Sequence, residues 1–346
     1  GIITYINQFV LALKLKNIKI TVLTTKHNNQ DDDEEILNGI KIIRCKPFIR
    51  ISRGFYSIDL IFKFIKISKS FDIINMHLPL AEVFPLVFFT KKKNTIVNYH
   101  CLPSFPITLT FIKFYFYIFG IFSILKSKKI IVLSEDYFKN IFFHHFLSHK
   151  CIEIPPYITA HSIQLKKNIN KKIFKLGYLG RISNEKGLEY LIDVSNKFQN
   201  KNINHEIIIA GNDKDARFKD YIKFLKFKSQ GNNNIRFIGD VDDKQKQDFF
   251  NQIDIFVLPS INSFEAFGIV QLEAMSYGNP VLASNLFGVR SIIKKTKNGY
   301  LFKSKDADDL YNKILLCINK PFNSSEVIKK VQQYYSKEKF KKNIDS

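Results

Sequence analysis

The sequence predicts an α/β chain of two doubly wound, parallel-sheet domains facing across a cleft. Three observations carry this. Its 346 residues exceed what one hydrophobic core holds, roughly 250–300 residues. Short, β-rich apolar runs alternate with longer helical stretches. A polar, proline-containing break divides those runs into two series.

The first series is Ile20–Leu23, Ile40–Arg44, Ile73–Met76, Thr95–Tyr99 and Ile130–Leu133. The second is Lys175–Tyr178, Glu206–Ala210, Ile235–Ile238, Ile255–Leu258 and Val281–Ala283. Near-continuous hydrophobicity over a few residues is what a strand covered on both faces requires. Between the series, Pro155 to Lys172 carries a Pro-Pro pair, asparagines and lysines without periodicity, which places the interdomain linker there. The acidic run Asp31 to Glu35 reads as a solvated loop.

Hydrophobic residues are 45% and charged residues 24%, a globular composition rather than a disordered one. A net charge of +22 would suit nucleic acid or an anionic membrane, but it is shared about equally by the two halves, and no nucleic-acid module accompanies it. Cys45, Cys101, Cys151 and Cys317 are far apart, with no CxxC pair and no histidine at zinc spacing, so a reducing compartment is expected. The first segment lacks a charged region leading into an apolar core, so no signal peptide is expected. Ile107–Lys126 approaches the length of a membrane span with Lys113 as its one internal charge. A span would strand the β-like runs on either side of it; a helix packed on the sheet or lying at a membrane surface is the expectation.

The most informative window runs from Asp254 to Ser284. A strand ends at Pro259, a polar loop comes next, and a helix starts near Phe267 and stops at Gly278-Asn279-Pro280. A helix beginning at a strand's carboxyl end offers free amides and a positive dipole end, both suited to phosphate. Glu265 and Glu273 frame that start, and carboxylates can accept paired hydrogen bonds from vicinal hydroxyls. In a second window, Leu176 to Leu188, Arg181 and Lys186 bracket another helix start, with Gly180 for a tight turn and Gly187 for close approach. Two such cations can hold both phosphates of a nucleoside diphosphate without a metal.

Gly180-Arg181 with Lys186-Gly187, and Glu265 with Glu273 in the frame SFEAFGIVQLEAMSYGNPVLAS, resemble glycosyltransferase family 4, the retaining group 1 glycosyl transferases of the GT-B fold, with two Rossmann-like domains. The resemblance implies that Arg181 and Lys186 bind the diphosphate of a UDP- or GDP-sugar. It further implies that Glu265 contacts the transferred sugar, Glu273 holds the ribose, and the backbone amides of Phe267, Gly268 and Ile269 face phosphate and sugar. His100, at the end of Thr95–Tyr99, resembles the family histidine that reaches the donor sugar and reaction centre. Ser134 and Ile154-Pro155-Pro156 resemble a strand-end serine and the prolines leading into the linker. Gly1 and the helix after it resemble the segment just beyond the family's first glycine-rich loop, which implies a first strand outside this chain. Ala266 stands where glycine is frequent and Lys337 where tryptophan is often found.

The implied organisation is an acceptor-binding domain over 1–157, a donor-binding domain over 158–330 and a helix over 331–346 returning toward the first domain. The implied activity is metal-independent transfer of a sugar, with no cofactor and no enzyme nucleophile, to a glycan or lipid-linked acceptor in cell-surface polysaccharide or lipopolysaccharide synthesis. A cytoplasmic protein, peripheral on the inner face of an anionic membrane, would fit, and no nucleic-acid partner is expected. The alternative is a nucleotide-sugar binder without catalysis or an inactive truncated fragment; a GT-B epimerase is disfavoured by the Glu265 and Glu273 pairing.

Overall fold

The computed structural model describes residues 2–28, 30–51, 54–90, 94–101, 110–141, 144–158 and 173–345. Most of the expected linker (159–172), the first residues of the span-like segment (107–109) and Gly1 lie outside the described residues. The chain divides into two compact units, Gly1–Ile154 and Pro155–Ser346.

The first unit opens with α1 (Ile2–Lys14), then β1 (Thr21–Thr25), β2 (Glu34–Leu37) and β3 (Ile40–Cys45). β1 and β3 pair in parallel and β2 adds antiparallel to β3. The acidic run is therefore not wholly a loop: Glu34 and Glu35 begin an edge strand, where exposed side chains are tolerated, and Glu35 pairs with Arg44 of β3. β4 (Ile49–Ile51) and β5 (Gly54–Tyr56) form a small hairpin before α2 (Ile58–Ile67). Ser57 caps α2, its hydroxyl accepting the Leu60 N–H at 3.1 Å.

A second, fully parallel sheet is built from β6 (Ile74–Leu78), α3 (Val83–Phe88), β7 (Thr95–Tyr99), α4 (Thr110–Lys126), β8 (Lys129–Val132), α5 (Glu135–Phe138), α6 (His144–Leu147) and β9 (Cys151–Glu153). The first series thus supplies two sheets rather than one. Met76, Val97, Ile130 and Val132 fill the core between the second sheet and its helices.

The second unit alternates strictly: β10 (Phe174–Leu179), α7 (Leu188–Asn200), β11 (His205–Ala210), α8 (Lys219–Lys228), β12 (Ile235–Gly239), α9 (Asp243–Gln252), β13 (Ile255–Leu258), α10 (Ile269–Ser276), β14 (Val281–Ser284), α11 (Val289–Thr296), β15 (Gly299–Phe302) and α12 (Ala307–Asn319). Its parallel sheet has the order β12-β11-β10-β13-β14-β15, the doubly wound arrangement. β13 and β14 are buried throughout, as their unbroken hydrophobicity requires. Gly177 lets α9 close on β10, because a Cβ there would lie 2.5 Å from Ile253 Cδ1 and 2.8 Å from Phe249 Cζ. α13 (Ser324–Tyr335) and α14 (Lys337–Asp345) complete the unit, and the Ile158 N–H donates to the Tyr335 carbonyl at 2.9 Å.

Candidate functional site

Strand order reverses between β10 and β13, and the loops leaving adjacent strands there diverge to opposite faces of the sheet. Those two loops carry Arg181, Lys186 and Glu265. Beyond β10, Gly180 makes the turn and Arg181 comes next, its side chain 43% exposed and 4.0 Å from the Glu185 carboxylate. The buried Tyr178 hydroxyl donates to the Arg181 carbonyl at 2.8 Å and so fixes the turn from beneath. Burial, and then the nearby Glu265 carboxylate, push the Tyr178 phenol far up, keeping it a neutral donor.

Gly187 takes the left-handed conformation (φ 63°) at the start of α7, and a Cβ there would run into the Pro259 carbonyl beyond β13. The Ile261 N–H donates to the Glu185 carbonyl at 3.0 Å. The two loops are therefore locked together by backbone, and across that junction the Lys186 ammonium pairs with the Glu265 carboxylate. The sequence singles out both residues but does not reveal their contact.

The two helix starts differ. At α7, the Leu188 N–H donates to the Tyr221 hydroxyl at 2.9 Å, and that hydroxyl donates to Glu189. α7 therefore does not offer its first amide as an anion site. α10 begins at Ile269, two residues later than expected, with Gly268 left-handed at its N-cap (φ 75°) and no side-chain cap. Among the described residues no protein acceptor takes the amide hydrogens of Phe267, Gly268 or Ile269. Gln271 braces this start, its side-chain amide donating to the carbonyls of Phe267 (3.0 Å) and Val289 (3.1 Å). Bare amides and the dipole of an eight-residue helix make this an anion-attracting point of the unit.

Glu273 lies one turn into α10 and pairs with Lys246 of α9 at 2.7 Å, both side chains a little over one quarter exposed. Lys246 is not legible in the sequence: nothing local in Lys244–Asp248 distinguishes it from an ordinary solvated helix residue. Ser183, Ser260 and Ser284, each near a strand's carboxyl end, have buried hydroxyls without a hydrogen-bond partner among the described residues.

His100 belongs to the first unit, directly after β7. It is 3% exposed, and its Nε2 lies 2.9 Å from Nδ1 of His77 on β6. The rings stack with centroids 5.1 Å apart, and Tyr5 of α1 meets His100 edge-on at 5.4 Å. His100 Nδ1 is buried without a partner among the described residues. Burial pulls His77 down to about 4 and, together with His77, pulls His100 down to about 3, so both imidazoles are neutral near pH 7. Sequence reasoning misses His77, although it too is a histidine near a strand's carboxyl end. An apolar cavity in this unit is walled by Leu78, Tyr99, Cys101, Tyr117, Gly120 and Ile124, of which Leu78, Tyr99 and Cys101 alternate along the chain with the two histidines.

Among the described residues no group of three His, Cys, Asp or Glu side chains is arranged to hold a metal ion. Among the described residues the four cysteines form no disulfide.

Residues 161–337, just over half of the chain, match the family model described as glycosyl transferases group 1. An uncharacterized glycosyltransferase of Methanocaldococcus jannaschii is 33% identical over 133 residues, 38% of this chain and 33% of that protein. The chain thus spans about a third of that relative, and similarly about a third of two bacterial glycogen synthases it also matches. An uncharacterized 41.2 kDa protein from the cps region of Klebsiella pneumoniae is 24% identical, with 87% of each chain covered. The capsular polysaccharide biosynthesis glycosyltransferase CapM of Staphylococcus aureus is 27% identical over 55% of this chain and 52% of CapM. Among solved structures, sucrose-phosphate synthase of Thermosynechococcus elongatus superposes with a TM-score of 0.78 at 17% identity, covering 100% of this chain and 92% of its own. HepE of Anabaena, solved in complex with UDP, superposes at 0.70 with 16% identity over 95% and 98% of the chains. These neighbours share the GT-B fold, two Rossmann-like domains with parallel sheets. By the family match over its second unit, this chain belongs to the glycosyl transferases group 1 family.

Proposed function

We propose that the protein is a retaining glycosyltransferase of family 4 that transfers a hexosyl unit from a nucleotide-sugar to a glycan or lipid-linked acceptor in cell-surface polysaccharide assembly. The observation that carries this reading is the junction at the sheet's switch point: Lys186 paired with Glu265, beside the bare N-terminal amides of α10. Arg181, Lys186 and the amides of Phe267, Gly268 and Ile269 would hold the diphosphate; Glu273, oriented by Lys246, would hold the ribose. Glu265, held in place by Lys186, would accept hydroxyls of the transferred sugar. His100 would meet a sugar hydroxyl through Nδ1, the ring nitrogen left over once His77 occupies Nε2.

In the reaction the acceptor hydroxyl oxygen bonds to the anomeric carbon as the bond from that carbon to the diphosphate oxygen breaks. The bonding pair leaves on the phosphate, and the hydroxyl proton leaves with it or to solvent. Charge developing on the leaving diphosphate is what fixed cations and a helix dipole stabilise. That supplies the role a divalent ion fills elsewhere, so turnover is proposed to be metal-independent. UDP is the favoured donor base, HepE having been solved with UDP. The acceptor class is drawn from the capsular relatives CapM and the cps-region protein. A cytoplasmic site of action at the inner membrane face is the corresponding proposal.

The test is release of nucleoside diphosphate from a panel of UDP- and GDP-sugars in a chelator, with the anomeric configuration of the product read by NMR. An α-linked product from an α-linked donor without metal supports the reading. Inversion, a strict need for a divalent ion, or binding without transfer to any glycan or lipid-linked acceptor would each overturn the corresponding part.

A further inference from the structure

Apart from Lys113, α4 is apolar over nearly its whole circumference from Thr110 to Leu125, more than burial of a single face requires. The fold covers only one side. Tyr117, Gly120 and Ile124 face the apolar cavity beside β6 and β7, while Phe111 is 91%, Phe114 63% and Phe122 43% exposed. α3 continues the patch with Phe88, 55% exposed, and with Phe84. The rings form one surface: Phe84 lies 4.2 Å from Phe119 and Phe88 lies 5.9 Å from Phe122, centroid to centroid. Contiguous exposed aromatics of this kind mark an interaction surface. No helix among the described residues is long and apolar enough to cross a membrane.

Charge identifies the partner. Neither α3 nor α4 contains an acidic residue, and Lys126, Lys128 and Lys129 cluster at the carboxyl end of α4. Lys126, at the end of α4, donates to the Val87 carbonyl of α3, so a cation is fixed at the margin of the aromatic face. Aromatic rings with Lys126 at their margin, on two helices that carry no acidic residue, match the boundary between headgroups and acyl chains of an anionic bilayer.

We propose that the α3–α4 aromatic face docks the first unit onto an anionic phospholipid bilayer, lying in the interface without spanning it. This deepens the proposed action on membrane-bound acceptors and rests on that reading for its purpose. The physical contact does not require turnover.

The chain contains no tryptophan, so Phe114→Trp introduces a single fluorophore into the face, and Phe227→Trp, at a 75% exposed position on α8, provides the control. Each is mixed with phosphatidylglycerol/phosphatidylcholine vesicles carrying brominated acyl chains. The expected result is a blue shift and quenching for Phe114→Trp alone, weakened by high salt and absent with pure phosphatidylcholine. In flotation of the otherwise unaltered chain, Phe88→Ser with Phe114→Ser lowers vesicle partitioning at least about tenfold. No quenching at position 114, equal quenching at both positions, or a lipid-independent shift that grows with protein concentration would overturn the proposal; the last would mean self-association. Nucleotide binding, measured separately, distinguishes failure of this surface from failure of the glycosyltransferase reading.

Discussion

The buried His77–His100 pair makes the first unit acid-sensitive by an amount its burial fixes. In the unfolded chain both imidazoles take up a proton below their ordinary value of 6.5, whereas in the folded unit they stay neutral down to about 4 and about 3. The unfolded state therefore binds more protons as pH falls, and stability is lost from about pH 6.5 downward until each folded value is reached. Between about pH 7 and about pH 5 the loss is about 2 kcal/mol per imidazole, or about 4 kcal/mol for the pair. Pulsed hydrogen exchange across a urea series, read on the peptide containing β7, reports the first unit alone. His77→Asn with His100→Asn should lower the stability near pH 7 but flatten its dependence on pH. An unchanged pH slope in that double variant would refute the argument, since no titrating imidazole would remain in the pair.

Three further perturbations each act on a single contact. Tyr221→Phe removes the hydroxyl that accepts the Leu188 N–H and donates to Glu189, so chemical denaturation should show a loss of about 1–3 kcal/mol in the second unit. Gly268→Ala places a side chain at φ 75° with its Cβ 2.6 Å from Leu258 Cδ2; it should cost about 1–3 kcal/mol and weaken nucleotide binding, measured by calorimetry. Gly120→Ala, where nothing lies within 4 Å of the new Cβ, should instead stabilise α4 by about 1 kcal/mol, seen as a higher midpoint for the first unit.

The second unit is nearly all legible in the sequence because its strands are covered on both faces and are therefore spelled as unbroken apolar runs, as in IFVL of β13 and VLAS of β14. β15 escapes such a reading: it opens on Gly299, whose missing side chain leaves room for the Val281 carbonyl, and a four-residue strand starting with glycine carries little signal. β2 escapes it because edge strands need only one partner and can be acidic. At the site, Arg181, Lys186, Glu265 and Glu273 can be picked out because loop chemistry at strand ends is local. Their partners cannot. Lys246 reaches Glu273 from another helix, Tyr221 closes α7 from α8, and His77 meets His100 across two strands, and such long-range pairings leave no spacing signature in the chain.

Arg181, Lys186 and the start of α10 form the proposed nucleoside diphosphate site of the second unit. This site is tested most directly by the thermal unfolding midpoint in chelator with UDP, GDP or ADP. A ligand at about 100 times its dissociation constant adds about 2.7 kcal/mol, a shift of several degrees. One nucleotide should give such a shift, and it should be lost in Arg181→Ala and Lys186→Ala variants that still fold. No shift with any nucleotide in a folded sample, or a shift that appears only with a divalent ion, would contradict it.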